Sequence, residues 1–183
     1  MIASLDAPAV VIGVGNVLLH DDGVGVKALE ALRSAIRRHP GDREATRLVD
    51  GGTLGIDLLP SIEGARSLLL LDAVDLDQPP GTVSVLRGDD ILTAGGTWGG
   101  RIPGGVGELL SVARLMGWLP ASVALVGIQV DDTSYGEGLS ESVAAALPRA
   151  VERARHELRE LDELAETARP RLDGTVAAEG ATA

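Results

Sequence analysis

Two acidic signals in this chain have the type and spacing to do chemistry. Residues 13–25 read GVGNVLLHDDGVG and set Asp21 and Asp22 side by side where a helix is expected to begin. One carboxylate there serves as a helix cap, accepting from free N–H groups and gaining from the dipole. Two exceed what a cap requires, so the spare one can face a cation at the strand end. Asn16 is placed to hold the turn by bonding to its backbone. The second signal is Asp72, directly after four leucines in SLLLLDAV. A carboxylate at the C-terminal edge of a buried parallel strand faces the ligand crevice; the plainer reading is a turn aspartate accompanied by Asp75 and Asp77. If the first and third strands are neighbours, Asp22 and Asp72 converge, and paired oxygens there suit a divalent metal or a general base. Asp50-Gly51-Gly52-Thr53 closes another strand. Its glycines permit close approach, so Gly51, Gly52 and Thr53 either form a plain tight turn or bind an extended peptide along the same crevice.

Several chemistries are excluded. A dinucleotide-binding turn fails because the third glycine of G-x-G-x-x-G falls at Leu18, and two aspartates stand where a pyrophosphate should sit. No G-x-S-x-G, H-E-x-x-H or Walker A sequence occurs. There is no cysteine, which removes disulfides, thiolate metal sites and cysteine nucleophiles. The histidines are His20, His39 and His156, the last two read as surface residues. Against 27 Asp plus Glu stand 16 Lys plus Arg, a formal charge of −11, which argues against gripping nucleic-acid phosphate or an anionic membrane. With Trp98, Trp118 and Tyr135 as the whole aromatic set there is no base-stacking platform either. The first residues lack the marks of a secretory signal, and no apolar run approaches the roughly 20 residues a membrane helix needs. A cytoplasmic protein without membrane insertion is expected.

These carboxylates need elements to hold them. AVVIGV, Ala9 to Val14, is apolar on both faces, as a central parallel strand should be. A helix follows from about Gly23 to Arg38, ended by Pro40-Gly41. Strands are expected at Thr46 to Val49, Ser67 to Val74, Thr82 to Leu86 and Val123 to Val130, with a short helix over Gly55 to Ile62 and another over Glu108 to Met116. Gly88 to Gly105 holds seven glycines and no steady period, and reads as a long functional or disordered loop. A last helix from about Leu139 to Ala168 contains Pro148. The alternation predicts one α/β domain over residues 1–169 with a largely parallel sheet of about five strands, followed by a disordered tail over 170–183.

The motifs GVGNVLLHDDGVGV, DGGTLGIDLLP, LLLLDAVD, GTVSVLRGDD, ELLSVARLMGWLP, VALVGIQV and GLSESV occur in the order seen in the hydrogenase maturation proteases, and the chain resembles that family over about residues 8 to 165. The resemblance implies a three-layer α/β/α fold and an endopeptidase that trims the C-terminal extension of a nickel-iron hydrogenase large-subunit precursor. It implies a metal site that recognises nickel supplied by that substrate, with Asp22 and Asp72 at two of the family's ligand positions and in the catalytic role. The family's third ligand is a histidine that falls at or near Ile102, and this sequence has no histidine between His39 and His156. His20, two residues before Asp22, is the nearest replacement, imidazole being a good nickel ligand. Without the family histidine, a non-catalytic relative that binds the immature large subunit is the alternative. A small-molecule hydrolase using the same acidic crevice is the third reading.

Overall fold

The structure is a computed structural model, and it describes residues 7–38, 46–95 and 105–167. Five strands form one sheet: β1 (Ala9–Val14), β2 (Thr46–Gly52), β3 (Ser67–Val74), β4 (Val83–Arg87) and β5 (Ser122–Gln129). Their order across the sheet is β2-β1-β3-β5-β4, all pairs parallel except β4 with β5. Helix α1 (Val24–Arg38) follows β1 through a 3-10 turn at His20–Gly23. A second 3-10 turn, Gly55–Leu58, runs into the short α2 (Leu59–Ile62), and α3 (Asp89–Gly95), α4 (Val106–Leu115) and the long α5 (Glu141–Thr167) complete the chain.

β1, β3 and β5 are buried along their whole length because both faces of the sheet are covered. Ala9, Val11, Leu69, Leu71 and Val126 pack on one side against Leu29 and Leu32 of α1 and Ala150 and Ala154 of α5. Val10, Ile12, Leu68, Leu70 and Leu125 pack on the other against Ile62, Ile91, Leu109 and Leu110. The expected three layers are therefore present, with a core almost free of aromatic rings.

Two glycines bring α1 down onto the sheet. A Cβ on Gly25 would lie 2.2 Å from the Leu71 carbonyl oxygen and 2.3 Å from that of Val14, and one on Gly13 would lie 2.6 Å from the Gly25 oxygen. Only bare backbone allows the helix to start this close to the ends of β1 and β3. From β1 the chain turns to β2 on one side and then to β3 on the other, so the order reverses between β1 and β3. A crevice opens at such a switch point, beyond the carboxyl ends of the strands.

Three expectations are corrected. β2 does not stop at Val49 but runs on through Asp50 to Gly52, where a register shift opposite Gly13 and Val14 takes up the turn. The glycine-rich segment does not begin as a loop: Asp89 to Gly95 form α3, favoured by Asp89 and Asp90 in the first turn and by burial of Ile91 against the sheet. The last helix starts at Glu141 because Ser140 is its cap, the hydroxyl accepting from Val143 N at 3.4 Å. The remainder of the glycine-rich segment, 96–104 with Ile102, and the tail after Pro170 lie outside the described residues.

Candidate metal-recognition site

Asp72 is carried into the crevice by β3, whose leucines 68–71 are fully buried and leave the strand no freedom to twist it away. It is itself only 1% exposed. Its Oδ1 accepts from Ala73 N at 2.8 Å, while its Oδ2 is buried and finds no hydrogen-bond partner among the described residues. Burial pushes the Asp72 carboxyl well above the usual carboxylate range; the Ala73 N–H opposes this, and the negative charge of Asp22 adds to it. β1 and β3 are neighbours, and Asp22 lies close enough to Asp72 for its charge to act there.

Asp22 sits half-buried on the 3-10 turn after β1. Its Oδ2 accepts from Asn16 N at 2.6 Å, and Asn16 Oδ1 accepts from Leu18 N at 3.0 Å, so Asn16 holds the turn through its side chain as expected. One carboxylate edge is occupied by the loop's own backbone.

The helix-capping role expected of one of the two aspartates does not fall to Asp21, whose role is longer-range. Asp21 is fully buried, and its carboxylate reaches the loop between β5 and α5. Oδ2 accepts from the backbone N–H groups of Asp131 and Asp132, both at 3.0 Å, and from Ser140 Oγ at 2.9 Å; Oδ1 accepts from Ser140 N at 2.7 Å. Burial by itself raises its pKa, but these bonds outweigh burial and hold it below the ordinary value. Backbone bonds extend the junction: Asp21 N to Asp132 O at 3.0 Å, His20 N to Gly136 O at 2.9 Å and Gly136 N to Leu18 O at 2.9 Å. Asp21 is thus the residue that sequence reasoning missed. Its partners lie 110 to 119 positions away, and the only local trace was a carboxylate more than a cap needs.

His20 goes elsewhere. Its backbone φ is 43°, its Nδ1 donates to the Gly138 carbonyl at 3.1 Å, and its Nε2 edge lies over Gly136, where an added Cβ would stand 2.1 Å away. Among the described residues no three His, Asp or Glu side chains gather as a metal site, so His20 is not brought to the Asp22 and Asp72 pair. Gly51 packs against β1, where a Cβ would meet Ile12 Cγ2 at 2.8 Å, and the Gly52 oxygen accepts from Gly15 N at 2.9 Å. Thr53 is exposed beside them. These three residues line the same edge of the sheet as the carboxylates. A surface cavity of about 620 Å³ lies between β4 and α5, lined by Gly81, Thr82, Val83, Val85, Arg149 and Arg153 among others. It contains no carboxylate pair.

Among the described residues no helix is long and apolar enough to cross a membrane. The sequence profile of the hydrogenase maturation protease family matches residues 28–157. The hydrogenase expression/formation protein HupD of Rhodobacter capsulatus is 37% identical over 151 residues, 81% of this chain and 70% of that protein. The hydrogenase 2 maturation protease of Escherichia coli is 31% identical over 151 residues, 82% of this chain and 90% of the relative. Among solved structures, the hydrogenase maturating endopeptidase HybD from E. coli superposes with a TM-score of 0.73 at 29% identity, covering 84% of this chain and 93% of that one. With the fold, the motif order and these matches in agreement, the chain belongs to the hydrogenase maturation protease family.

Proposed function

We propose that this protein is the endopeptidase that removes the C-terminal extension of a nickel-iron hydrogenase large-subunit precursor after nickel insertion, and that Asp22 and Asp72 read the inserted metal. The observation that carries this reading is the buried Asp72 Oδ2, an acceptor without a donor among the described residues, within reach of the charge of a second carboxylate at the switch point. Leaving such an oxygen unpaired costs about 1–3 kcal/mol, a cost that a cation arriving between the two carboxylates removes. Hard carboxylate oxygens with no cysteine in the sequence and no histidine joining them among the described residues make a weak resident metal site, which suits a metal that arrives with the substrate and leaves with it.

In this mechanism the nickel is part of the substrate. Entry of the metal favours the ionised form of Asp72, any proton it holds passing to solvent, and offsets the unfavourable effect of the Asp22 charge; the precursor is thereby held with its tail along the edge formed by Gly51, Gly52 and Thr53. The metal or a carboxylate then activates the attacking water for hydrolysis of the peptide. An unloaded precursor offers nothing to relieve the two carboxylates, so the same groups that bind also discriminate.

The test is incubation with nickel-loaded and nickel-free large-subunit precursor, followed by mass spectrometry of the tail. Trimming of the loaded form alone is expected, and Asp22→Ala and Asp72→Ala abolish it. Binding of the loaded precursor without trimming would assign the chain to recognition instead of cleavage. Normal trimming by either variant would refute the assignment of the carboxylates.

A further inference from the structure

Exposed apolar side chains are unevenly distributed over this fold. Of the eight large ones exposed among the described residues, five stand on loops leaving the C-terminal ends of β1, β2 and β5: Val17, Leu18, Leu54, Ile56 and Tyr135. Leu54 is 54% exposed and Tyr135 is 83% exposed. The other three, Leu115, Met116 and Leu164, lie toward or just past the C-terminal ends of α4 and α5. The three loops are fastened together: Gly136 N donates to Leu18 O, His20 N to Gly136 O and Gly15 N to Gly52 O, each at 2.9 Å. Val17, Leu18 and Tyr135 are therefore held on one built surface, joined through Gly52 to the loop of Leu54, and little ordering remains to oppose binding.

The segments at the same edge are acidic, with Arg149 of α5 a cation that reaches one of them, at the Gly81 carbonyl. Residues 15–23, 50–57, 75–82 and 130–140 contain nine Asp or Glu and no Lys or Arg. These segments end or follow the four parallel strands, so much of the formal −11 is concentrated at the strand ends that carry the exposed apolar groups. Such a field steers positively charged surfaces in and disfavours acidic ones.

The geometry points to an apolar, basic stretch of the hydrogenase precursor as the occupant of this edge, seated on Val17, Leu18, Leu54 and Tyr135 while its metal faces Asp22 and Asp72. The inference rests on the proposed function and adds to it the chemistry of the contact: affinity comes from apolar burial and complementary charge outside the carboxylate pair, and the pair reads only the metal.

The test uses Leu18→Asp, Leu54→Asp and Tyr135→Asp, which change exposed positions, with Leu115→Asp as the control at another surface. Trimming of nickel-loaded precursor is followed against precursor concentration, and binding of the same precursor is read separately by titration calorimetry. The first three variants are expected to raise KM and Kd by about tenfold or more with kcat within about twofold, and the control to match wild type. Raising salt from about 50 to 300 mM is expected to weaken wild-type binding several-fold. If wild type trims and the three variants keep its KM, the docking surface is overturned and the proposed function stands. If wild type binds without trimming and the variants lose binding, the surface stands and the cleavage is overturned. Variants that turn a dimer into a monomer while binding precursor normally would assign the face to a second copy and overturn the inference.

Discussion

Asp72→Asn is expected to stabilise the free protein while abolishing trimming. Asparagine keeps the volume of the side chain, and its amide oxygen can keep the 2.8 Å bond from Ala73 N. What changes is the other atom: an oxygen buried without a donor among the described residues becomes a neutral NH₂ group, and the charge that burial and Asp22 disfavour can no longer form. Removing one unpaired buried oxygen recovers about 1–3 kcal/mol, which in a chain of this length raises Tm by about 3–10 °C. The pH dependence has a definite sign. The folded-state pKa of Asp72 lies well above the ordinary carboxylate value of 3.8, so between the two values the folded state holds a proton that the unfolded chain has already released. Its stabilising contribution is complete below about pH 3.8 and is lost as pH rises through the raised folded value. The advantage of the variant should therefore grow as pH rises through that interval and then level off. Thermal unfolding of the metal-free protein between about pH 4 and 8, followed by circular dichroism, measures it. A variant no more stable than wild type at neutral pH, or one whose advantage is largest at acid pH, refutes the reasoning.

Asp21→Asn is expected to do the reverse, since its carboxylate accepts four hydrogen bonds and an amide cannot accept them all. A loss of about 2–4 kcal/mol is expected at neutral pH; because the folded pKa of Asp21 is depressed, its stabilisation is present above about 3.8 and disappears as pH falls through the folded value, so denaturant titrations of variant and wild type should converge in acid. His20→Ala should leave the nickel dependence of trimming unchanged, because both ring nitrogens are directed at Gly136 and Gly138, and should lower stability by no more than about 1 kcal/mol in urea titration. Gly25→Ala places a Cβ 2.2 Å from the Leu71 oxygen, and a cost of about 3 kcal/mol or more is expected from urea denaturation.

What could be read in the sequence was whatever local pattern determines. AVVIGV, SLLLLDAV and VALVGIQV are apolar without interruption because each strand is covered on both faces, and each appears as a strand within a residue or so of its expected bounds. Asp72 was legible for the same reason: a carboxylate ending a run that has no contact with water has to meet something other than water. The glycine-rich segment misled where composition hid a short buried face, since Ile91, with Leu92 and Ala94 packed against the same cluster, anchors α3 to the core within Asp89 to Gly95. His20 misled because nearness in sequence to Asp22 says nothing of direction at a left-handed backbone position.

Direction is also what separates the two adjacent aspartates. In a 3-10 turn successive side chains leave the axis about 120° apart, so on His20–Gly23 the neighbours Asp21 and Asp22 cannot share a destination. Asp21 turns to the loop between β5 and α5 and is satisfied in full; Asp22 turns to Asn16 and toward Asp72. The arrangement needs both. With Asp72 fixed in β3, the loop carrying Asp22 would swing away from it unless something held that loop, and the four bonds to Asp21 fasten it to the chain that follows β5. The fully satisfied aspartate keeps its neighbour in a position that is unfavourable in the free protein and becomes favourable when a cation enters.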